Sequence, residues 1–288
     1  MKKLASRLSF HPRSDAPSSR SGAPRPIFVA TQFKSGTKLL EHIVEKLTGL
    51  SAHPLGMEAG SDYESADPIA FEAGEFFIWH NVPGERVKAR IREANARPVF
   101  LIRNIYDLLV SQYHHFAADV DAAVGHSTQT TEYFASMTRS EGICLVLCGA
   151  TSKQFHWNGF GYQLWQIQEM LKFSKEYPCH VMSYDRLVLS KAREMDKLAR
   201  FLELEVSPST IAELLDSSAI DAMRAARVAA VGSGDHFRKG TPGDHVNELA
   251  PLHYHMINHL ILTFAPMLPT LCAELGFADI VDARGRAS

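Results

Sequence analysis

The chain has 288 residues, of which 45% are hydrophobic and 22% carry a charged side chain. This balance is typical of a globular protein with a sizeable core, as one large domain or two small ones, and it excludes disorder along the whole length. Thirty basic and thirty-two acidic side chains give a formal net charge of −2. No global field therefore favours nucleic acid or an anionic membrane, and any anion site has to be local.

The first 26 residues are rich in Ser, Pro and Arg, a composition that cannot build a core. We therefore expect a disordered basic tail at 1–26, one domain at 27–280 and a short C-terminal tail at 281–288. The basic start runs into polar residues rather than an apolar segment, unlike a signal peptide, and no stretch reaches the roughly 18 apolar residues of a membrane span. Four cysteines without a C-x-x-C spacing favour free thiols in a reducing cytoplasm.

Short apolar runs rich in β-branched and aromatic residues predict strands at 26–30, 76–79, 99–102 and 180–184. Apolar residues at helical spacing predict helices after the first and third strands, and further helices near 162–174, 191–203, 208–216 and at the end of the chain. Strands that alternate with helices indicate an α/β fold, a single domain with a mostly parallel central sheet flanked by helices.

The turn after the first strand has the composition of an anion site. A Gly-containing loop at a helix N-terminus directs backbone N–H groups and the positive end of the helix dipole at its ligand. Lys34 adds a charge and Thr37 a hydroxyl donor. Because the lysine precedes Gly36, the loop is not a Walker A sequence, in which the lysine follows the second glycine. By itself the loop predicts an anion site and no more.

Two further segments suit an anion. Arg103 follows the third strand and Ser111 lies two turns along the next helix, at the sheet edge where α/β proteins bind ligands. The alternative is that Arg103 pairs with Asp107 and Ser111 is a plain surface residue. Arg238 and Lys239 lie in a loop at 230–247 that holds four glycines, which would let them fold over a phosphate, or they form only a solvated basic turn.

Together, in this order, the three segments resemble the motifs of sulfotransferases that use 3′-phosphoadenosine 5′-phosphosulfate (PAPS). Residues 32–39 resemble Y-P-K-S-G-T-T-W, with Gln, Phe, Lys and Leu in place of Tyr, Pro, the second Thr and Trp. Residues 103–113 resemble R-N-P-x-D-x-x-x-S-x-Y with Ile105 for Pro, and residues 238–245 resemble R-K-G-x-x-G-D-W with His245 for Trp. The family's fold is similar to that of the P-loop nucleotide kinases.

The resemblance implies PAPS as co-substrate, adenosine 3′,5′-bisphosphate (PAP) as product and no metal. In the family, the Arg and Ser of the second motif and the loop of the third hold the 3′-phosphate, while a tyrosine in Y-E-D-L reaches the adenine region. Tyr184, which occupies that position, could equally be a core residue at a strand end. The implied donor-binding residues are Lys34, Ser35, Gly36, Thr37, Lys38, Arg103, Ser111, Tyr184, Arg238, Lys239 and Gly240.

The implied catalytic residues are Lys34, for charge on the leaving oxygen, and His80 as the base. His80 follows the second strand and resembles the histidine of the family's T-H-L-P, although a histidine at a strand end often only caps a carbonyl. His255 and His259 are four apart on a predicted helix, but no H-E-x-x-H sequence accompanies them, so surface or packing roles are favoured over a metal site.

Two rival functions stay open, a P-loop nucleotide or metabolite kinase and a non-catalytic nucleotide-binding protein of the same fold. The expected acceptor offers a hydroxyl, or less readily an amine, on a small or lipid-like molecule, with a saccharide as second choice. Its pocket is expected in the segments 50–75, 117–160 and 230–245. The sequence also leaves a homodimer open. Aromatic residues that either line this pocket or belong to the core are Phe116, Tyr133, Phe134, Phe155, Trp157 and Phe160.

Overall fold

The computed structural model describes residues 25–54, 74, 76–118, 128–151, 156–231 and 239–283. The predicted tail at 1–26 lies outside this part except for its last two residues. Arg238, Phe155 and most of the segment 50–75 also lie outside the described residues.

A five-stranded parallel sheet forms the centre, in the order β2-β3-β1-β4-β7. Its strands are β1 (Ile27–Thr31), β2 (Ala52–Pro54), β3 (Phe76–Trp79), β4 (Arg97–Ile102) and β7 (His180–Ser183). Two very short strands, β5 (Ala150–Thr151) and β6 (His156–Trp157), pair antiparallel away from this sheet. The predicted α/β fold with a mostly parallel sheet is thereby confirmed.

Helices cover both faces of the sheet. They are α1 (Thr37–Thr48), α2 (Glu85–Glu93), α3 (Ile105–Ala117), α4 (Thr128–Ala135), α5 (Arg139–Cys148), α6 (Phe160–Glu176), α7 (Tyr184–Leu189), α8 (Lys191–Phe201), α9 (Pro208–Ser217), α10 (Ile220–Val231), α11 (Pro251–Phe264) and α12 (Leu268–Glu274). Short 3-10 turns occur at Asp244–Asn247 and Ala278–Ile280.

The sheet is buried on both faces, which explains why its strands read as continuous apolar runs. Successive residues of β1 enter different clusters: Phe28 packs with α3 and α6, while Val29 packs with α1 and α8. Every residue of β1 and of β4 is buried. The parallel arrangement brings the carboxyl ends of β1, β3, β4 and β7 to one edge, where the predicted site residues begin.

The predicted strand at 180–184 is one residue too long, because Tyr184 is the first residue of α7. The sequence analysis missed the helices α4, α5 and α10, the last of which was partly assigned to a loop. It also missed the strands β2, β5 and β6, which are too short to show a period of two. Among the described residues, no single helix has the length and apolar composition to cross a membrane; α11 and α12 meet the criterion only as a pair, bent by 88°.

Candidate functional site

The loop between β1 and α1 is a compact turn with two residues in the left-handed region. The φ angles of Lys34 and Gly36 are +69° and +108°. Ser35 closes the turn, since its amide and its Oγ donate to the carbonyl oxygen of Gln32 at 3.1 and 2.8 Å. Helix α1 begins at Thr37, and the first N–H groups of a helix have no acceptor within it. The turn therefore presents backbone donors at the positive end of α1, as an anion cradle requires.

Side chains from and beside α3 hold the carbonyl groups of this loop. Arg103 Nη1 donates to the Lys34 carbonyl oxygen at 3.0 Å, and Gln112 Nε2 donates to that of Phe33, also at 3.0 Å. Because the carbonyl oxygens of Phe33 and Lys34 both accept hydrogen bonds, the Phe33–Lys34 and Lys34–Ser35 peptide groups are held in one orientation. The loop is thus preorganised by hydrogen bonds, and Gln112 is a site residue that the sequence reasoning missed.

Arg103 is buried, and no carboxylate of the described residues pairs with it. Its side chain is 7% exposed, its guanidinium carbon lies 4.6 Å from the centre of the Tyr184 ring, and its Nε has no hydrogen-bond partner among the described residues. The alternative pairing with Asp107 is wrong, because the carboxylate of Asp107 accepts from the amides of Gly243 at 2.5 Å and His245 at 3.0 Å. A buried cation of this kind is unfavourable unless an anion joins it.

Asp107 thereby fastens the third predicted segment onto α3, the helix that also carries the half-buried Ser111. Within this segment Lys239 Nζ lies 2.9 Å from Asp244 Oδ1. Gly240 has a φ of +69° and packs closely against Ile220, since a Cβ there would come within 2.4 Å of the Ile220 Cδ1 atom. The segment is thus held to α3 through Gly243 and His245, while Gly240 packs on α10 and Arg238 lies outside the described residues.

His80 reaches the anion loop from the end of β3. Its Nδ1 is 3.2 Å from the Thr31 hydroxyl and 3.5 Å from that of Thr37, and the two hydroxyls are 2.8 Å apart. The ring therefore engages a pair of hydroxyls at the sheet edge. The sequence pattern identified His80 and Thr37 but gave no reason to select Thr31, the last residue of a buried strand.

The segment that carries His80 is fixed by its neighbour Asn81. The Asn81 Oδ1 atom accepts from the Val82 amide at 2.9 Å, from the Tyr162 hydroxyl at 3.0 Å and from Gln166 Nε2. Two of these donors belong to α6. Helix α6 therefore holds the end of β3 in place.

Burial is the main cause, and the positive charges of Lys38 and Lys34 the smaller ones, that together lower the pKa of His80 to about 4. The imidazole is thus neutral at physiological pH and able to accept a proton. Lys38 itself is an exposed residue at the start of α1, with Nζ 2.6 Å from Glu41 Oε2. Two lysines within electrostatic range of one neutral histidine mark this end of the sheet as attractive to anions.

Tyr184 fills the space between the loop and Arg103. One edge of its ring lies so close to Gly36 that a Cβ there would be 2.4 Å from the Tyr184 Cδ2 atom. Burial raises the pKa of its phenol, an effect that the charge of Arg103 partly offsets. Tyr184 therefore contacts both the anion loop and Arg103, so it is part of the site and not only a core residue.

The aromatic residues expected near the acceptor divide into two groups. Phe116, Phe134 and Phe160 are buried in the main core cluster, so the core interpretation holds for them. Trp157 is half-buried, with Nε1 donating to the Val146 carbonyl oxygen at 2.9 Å, and Tyr133 is 36% exposed.

The histidines of α11 do not form a cluster. His253 is buried, where it accepts from the Ala250 amide and contacts the Ser140 hydroxyl, each at 3.0 Å. His255 and His259 are exposed. In the part of the chain that the structure describes, no group of three or more His, Cys, Asp or Glu side chains is arranged to hold a metal ion.

Comparisons with known proteins identify the family and the fold of this chain. The family model described as the sulfotransferase domain matches residues 24–262, a span that contains all three predicted motifs. The fold is similar to that of mouse sulfotransferase SULT7A1 complexed with PAP, with 19% identity and a TM-score of 0.63 over 88% of this chain and 89% of that one. It is also similar to retinol dehydratase in a complex with retinol and PAP, with 14% identity and a TM-score of 0.53 over 83% and 82%. No match was found among curated proteins.

Proposed function

Because the chain belongs to the sulfotransferase domain family, we propose that it transfers a sulfuryl group from PAPS to a hydroxyl group of a small acceptor, with His80 as the base. Family membership establishes the class of reaction. The donor, the acceptor and the roles of individual residues are proposed from the geometry of the site and from the motifs.

The observation that carries the proposal is the buried Arg103 beside the anion loop. Its guanidinium donates to the Lys34 carbonyl oxygen, and its Nε has no acceptor in the part of the chain that the structure describes. A nucleotide with a 3′-phosphate in addition to its 5′-phosphosulfate supplies two anionic groups, one for the loop at Lys34 and one for Arg103, Ser111, Lys239 and Gly240. A donor with a single phosphate chain would leave one of these two positions without its anion.

The reaction follows from the proposed positions. The acceptor oxygen attacks sulfur in line with the bond to the bridging oxygen, and His80 takes the hydroxyl proton. The S–O bond breaks as the new one forms, and Lys34 stabilises the charge that develops on the bridging oxygen. Thr37 and the loop amides hold the sulfuryl oxygens. The products are the sulfate ester and PAP, and the proton remains on His80 until solvent removes it.

We propose an apolar alcohol or phenol as the acceptor, with a saccharide as the second choice. The structural relative retinol dehydratase was solved with retinol, an apolar alcohol, together with PAP. In this chain Trp79 and Val82, which flank the His80–Asn81 pair in sequence, are buried. Apolar residues on both sides of the proposed base in sequence are consistent with an acceptor that brings one hydroxyl and little further polarity.

Titration calorimetry with PAP tests the donor and separates it from the kinase alternative. We expect PAP to bind without Mg²⁺, because the site offers cationic side chains and backbone amides for both phosphates. Binding of ATP that requires Mg²⁺, with no binding of PAP, would contradict the proposal. Transfer of labelled sulfate from PAPS to a panel of phenols, apolar alcohols and sugars then tests whether the protein is catalytic, and PAP binding with no transfer to any acceptor would favour a non-catalytic nucleotide-binding protein.

A further inference from the structure

An open cleft lies between the end of α5, the start of α6 and the second half of α11. Its volume is about 420 Å³, and its walls include Leu147, Tyr162, Trp165, Leu260 and Phe264, with Cys148 among the lining residues. None of its lining residues belongs to the Lys34 loop, to the end of β3 or to the 239–245 segment. The cleft is therefore a feature separate from the donor site.

The lining of the cleft is mainly apolar. Among the described residues no lining side chain carries a charge, and the polar side-chain groups are those of Asn158, Cys148, Tyr162 and the indole N–H of Trp165. Its two large rings are unusually accessible, since Trp165 is 37% and Phe264 49% exposed. The Trp165 ring stacks on Tyr162 with centroids 5.4 Å apart, so the two rings form one side of the cleft.

The backbone of α6 allows Phe264 to lie close over it. Position 161 is a glycine, and a Cβ there would come within 2.5 Å of the Phe264 Cδ2 atom. The cleft is thus bordered by a ring that rests on helix backbone on one side and faces open space on the other. Leu262 lies two residues from both Leu260 and Phe264 on α11, so it is on a different face of the helix and is not among the lining residues.

We propose that this cleft binds a small, uncharged, apolar molecule of the size of a medium-chain alcohol or a terpenoid. The volume lies in the range of small-molecule sites, roughly 300–1,000 Å³, and is too small for a partner helix about 10 Å across. The absence of charge in the lining disfavours anions, cations and saccharides. The proposal rests on the cleft alone and does not require sulfuryl transfer.

Tyr162 connects the cleft to the end of β3. The Tyr162 ring forms a wall of the cleft while its hydroxyl donates to Asn81 Oδ1 at 3.0 Å, and Asn81 directly follows His80. A ligand that packs against the Tyr162 ring therefore contacts the residue that holds the His80 segment.

Cys148 makes the proposal measurable without any enzymatic assay. It is exposed and lines the cleft. Burial raises the pKa of the Cys179 and Cys272 thiols to about 12, and burial also raises the pKa of Cys144. Since the thiolate is the reactive form, a disulfide reagent such as DTNB should modify Cys148 first, as a single fast phase that disappears in Cys148→Ser.

The test follows this fast phase in the full-length protein with increasing 1-decanol as the probe. We expect decanol to slow modification of Cys148 at least fivefold and saturably. In Phe264→Ala the decanol concentration for half-maximal protection should rise at least fivefold, whereas Leu262→Ala, on the same helix but outside the cleft lining, should behave as wild type. A rate that decanol leaves unchanged, or equal shifts in both variants, would overturn the proposal. PAP calorimetry on the same samples reports the donor site independently, so either proposal can fail alone.

Discussion

Gly36 is the residue of the anion loop with the least freedom to change. Its φ of +108° is a conformation that side chains other than glycine rarely adopt, and the Tyr184 ring occupies the place where a Cβ would lie. Gly49, at the end of α1, also has a positive φ of +70°, but no atom lies within 4 Å of the place that a Cβ would occupy. A comparison of the same substitution at Gly36 and at Gly49 therefore separates the effect of backbone strain from that of the close contact with Tyr184.

Gly36→Ala should weaken PAP binding at least tenfold, because the methyl group has to displace Tyr184 or the loop itself. Gly49→Ala is the matched control, expected to cost about 1 kcal/mol of stability from its left-handed backbone and to leave PAP affinity unchanged. Calorimetry and urea unfolding on both variants check this. Equal PAP affinity in the two variants would contradict the role of the Gly36 contact.

Substitution of Lys34 should mainly affect turnover, and substitution of Arg103 should mainly affect PAP affinity. Lys34→Ala is expected to abolish detectable turnover, because its charge acts on the leaving oxygen, while Arg103→Ala should raise the Kd for PAP by a larger factor than it lowers kcat. Measurements of kcat and of PAP affinity separate these outcomes. Lys175→Ala, a surface lysine paired with Glu274, is the control. Retained turnover in Lys34→Ala would exclude the proposed role.

The pKa of His80 gives PAP binding a pH dependence of definite sign. In the unliganded protein the pKa is about 4, and the charge of PAP offsets the lysines that help to lower it, so binding should raise it. A group whose pKa rises on binding takes up protons between the two values, and PAP affinity should increase as the pH falls through that window. Calorimetry at pH 5.5 in buffers of different ionisation enthalpy measures the uptake.

His80→Gln is the control for this measurement, because the phosphates of PAP titrate equally in both proteins. The difference in proton uptake between wild type and variant belongs to His80. Identical uptake would show that PAP does not act on this histidine.

Buried glutamine side chains on the helices α3 and α6 contact the anion loop and the end of β3. Gln112 on α3 holds the Phe33 carbonyl and lies 3.4 Å from Gln163 on α6, while Gln166 holds Asn81. The carbonyl oxygens of Gln112 and Gln166 have no hydrogen-bond partner among the described residues. Buried amides left partly unsatisfied disfavour folding, so a role in positioning the site explains them better than stability does.

Gln112→Met should therefore separate stability from function. The variant loses the donor to Phe33 and also the unsatisfied oxygen, so its Tm should be unchanged or higher, while PAP affinity should fall about threefold to tenfold, the effect of one hydrogen bond. Gln168→Met is the control, because Gln168 Oε1 accepts from the Met267 amide at 2.8 Å, remote from the loop. It should lower Tm and leave PAP affinity intact. Parallel losses of Tm and affinity in Gln112→Met would contradict a positioning role.

Across the whole molecule, local pattern predicted the sheet better than the site. Continuous apolar strands such as β4 can be predicted from their sequence alone. The spaced motifs selected Lys34 and Arg103, and the resemblance to T-H-L-P selected His80. Thr31 and Asn81 could not be selected, because their roles depend on contacts with residues far away in sequence, 49 positions for Thr31 to His80 and 81 for Asn81 to Tyr162. Gln112 did carry a signal, as an amide within the apolar face of a helix.

The C-terminal end of the described residues packs against the carboxyl ends of β4 and β7. Asn104 Nδ2 donates to the carbonyl oxygens of Asp279 at 2.8 Å and Asp282 at 3.0 Å, and the Asp279 carboxylate accepts from Ser183 at 3.2 Å and Arg186 at 2.6 Å. A chain shortened to end at residue 277 should therefore lose both Tm and PAP affinity. A chain that ends at residue 283 keeps all these contacts and should match the full-length protein in differential scanning fluorimetry and calorimetry. Equal behaviour of the two would contradict the importance of the segment.

The tie between Asn104 and Asp279 spans 175 positions, and this has a consequence for the order of assembly during synthesis. When β1, α1 and β4 have left the ribosome, Lys34 and Arg103 already exist, but the segment that secures the neighbour of Arg103 has yet to be made. Contacts so distant in sequence form late, because the intervening chain has to be ordered first. A nascent chain should therefore bind PAP only after residue 282 has emerged. PAP binding by the nascent chain would then report that folding is complete.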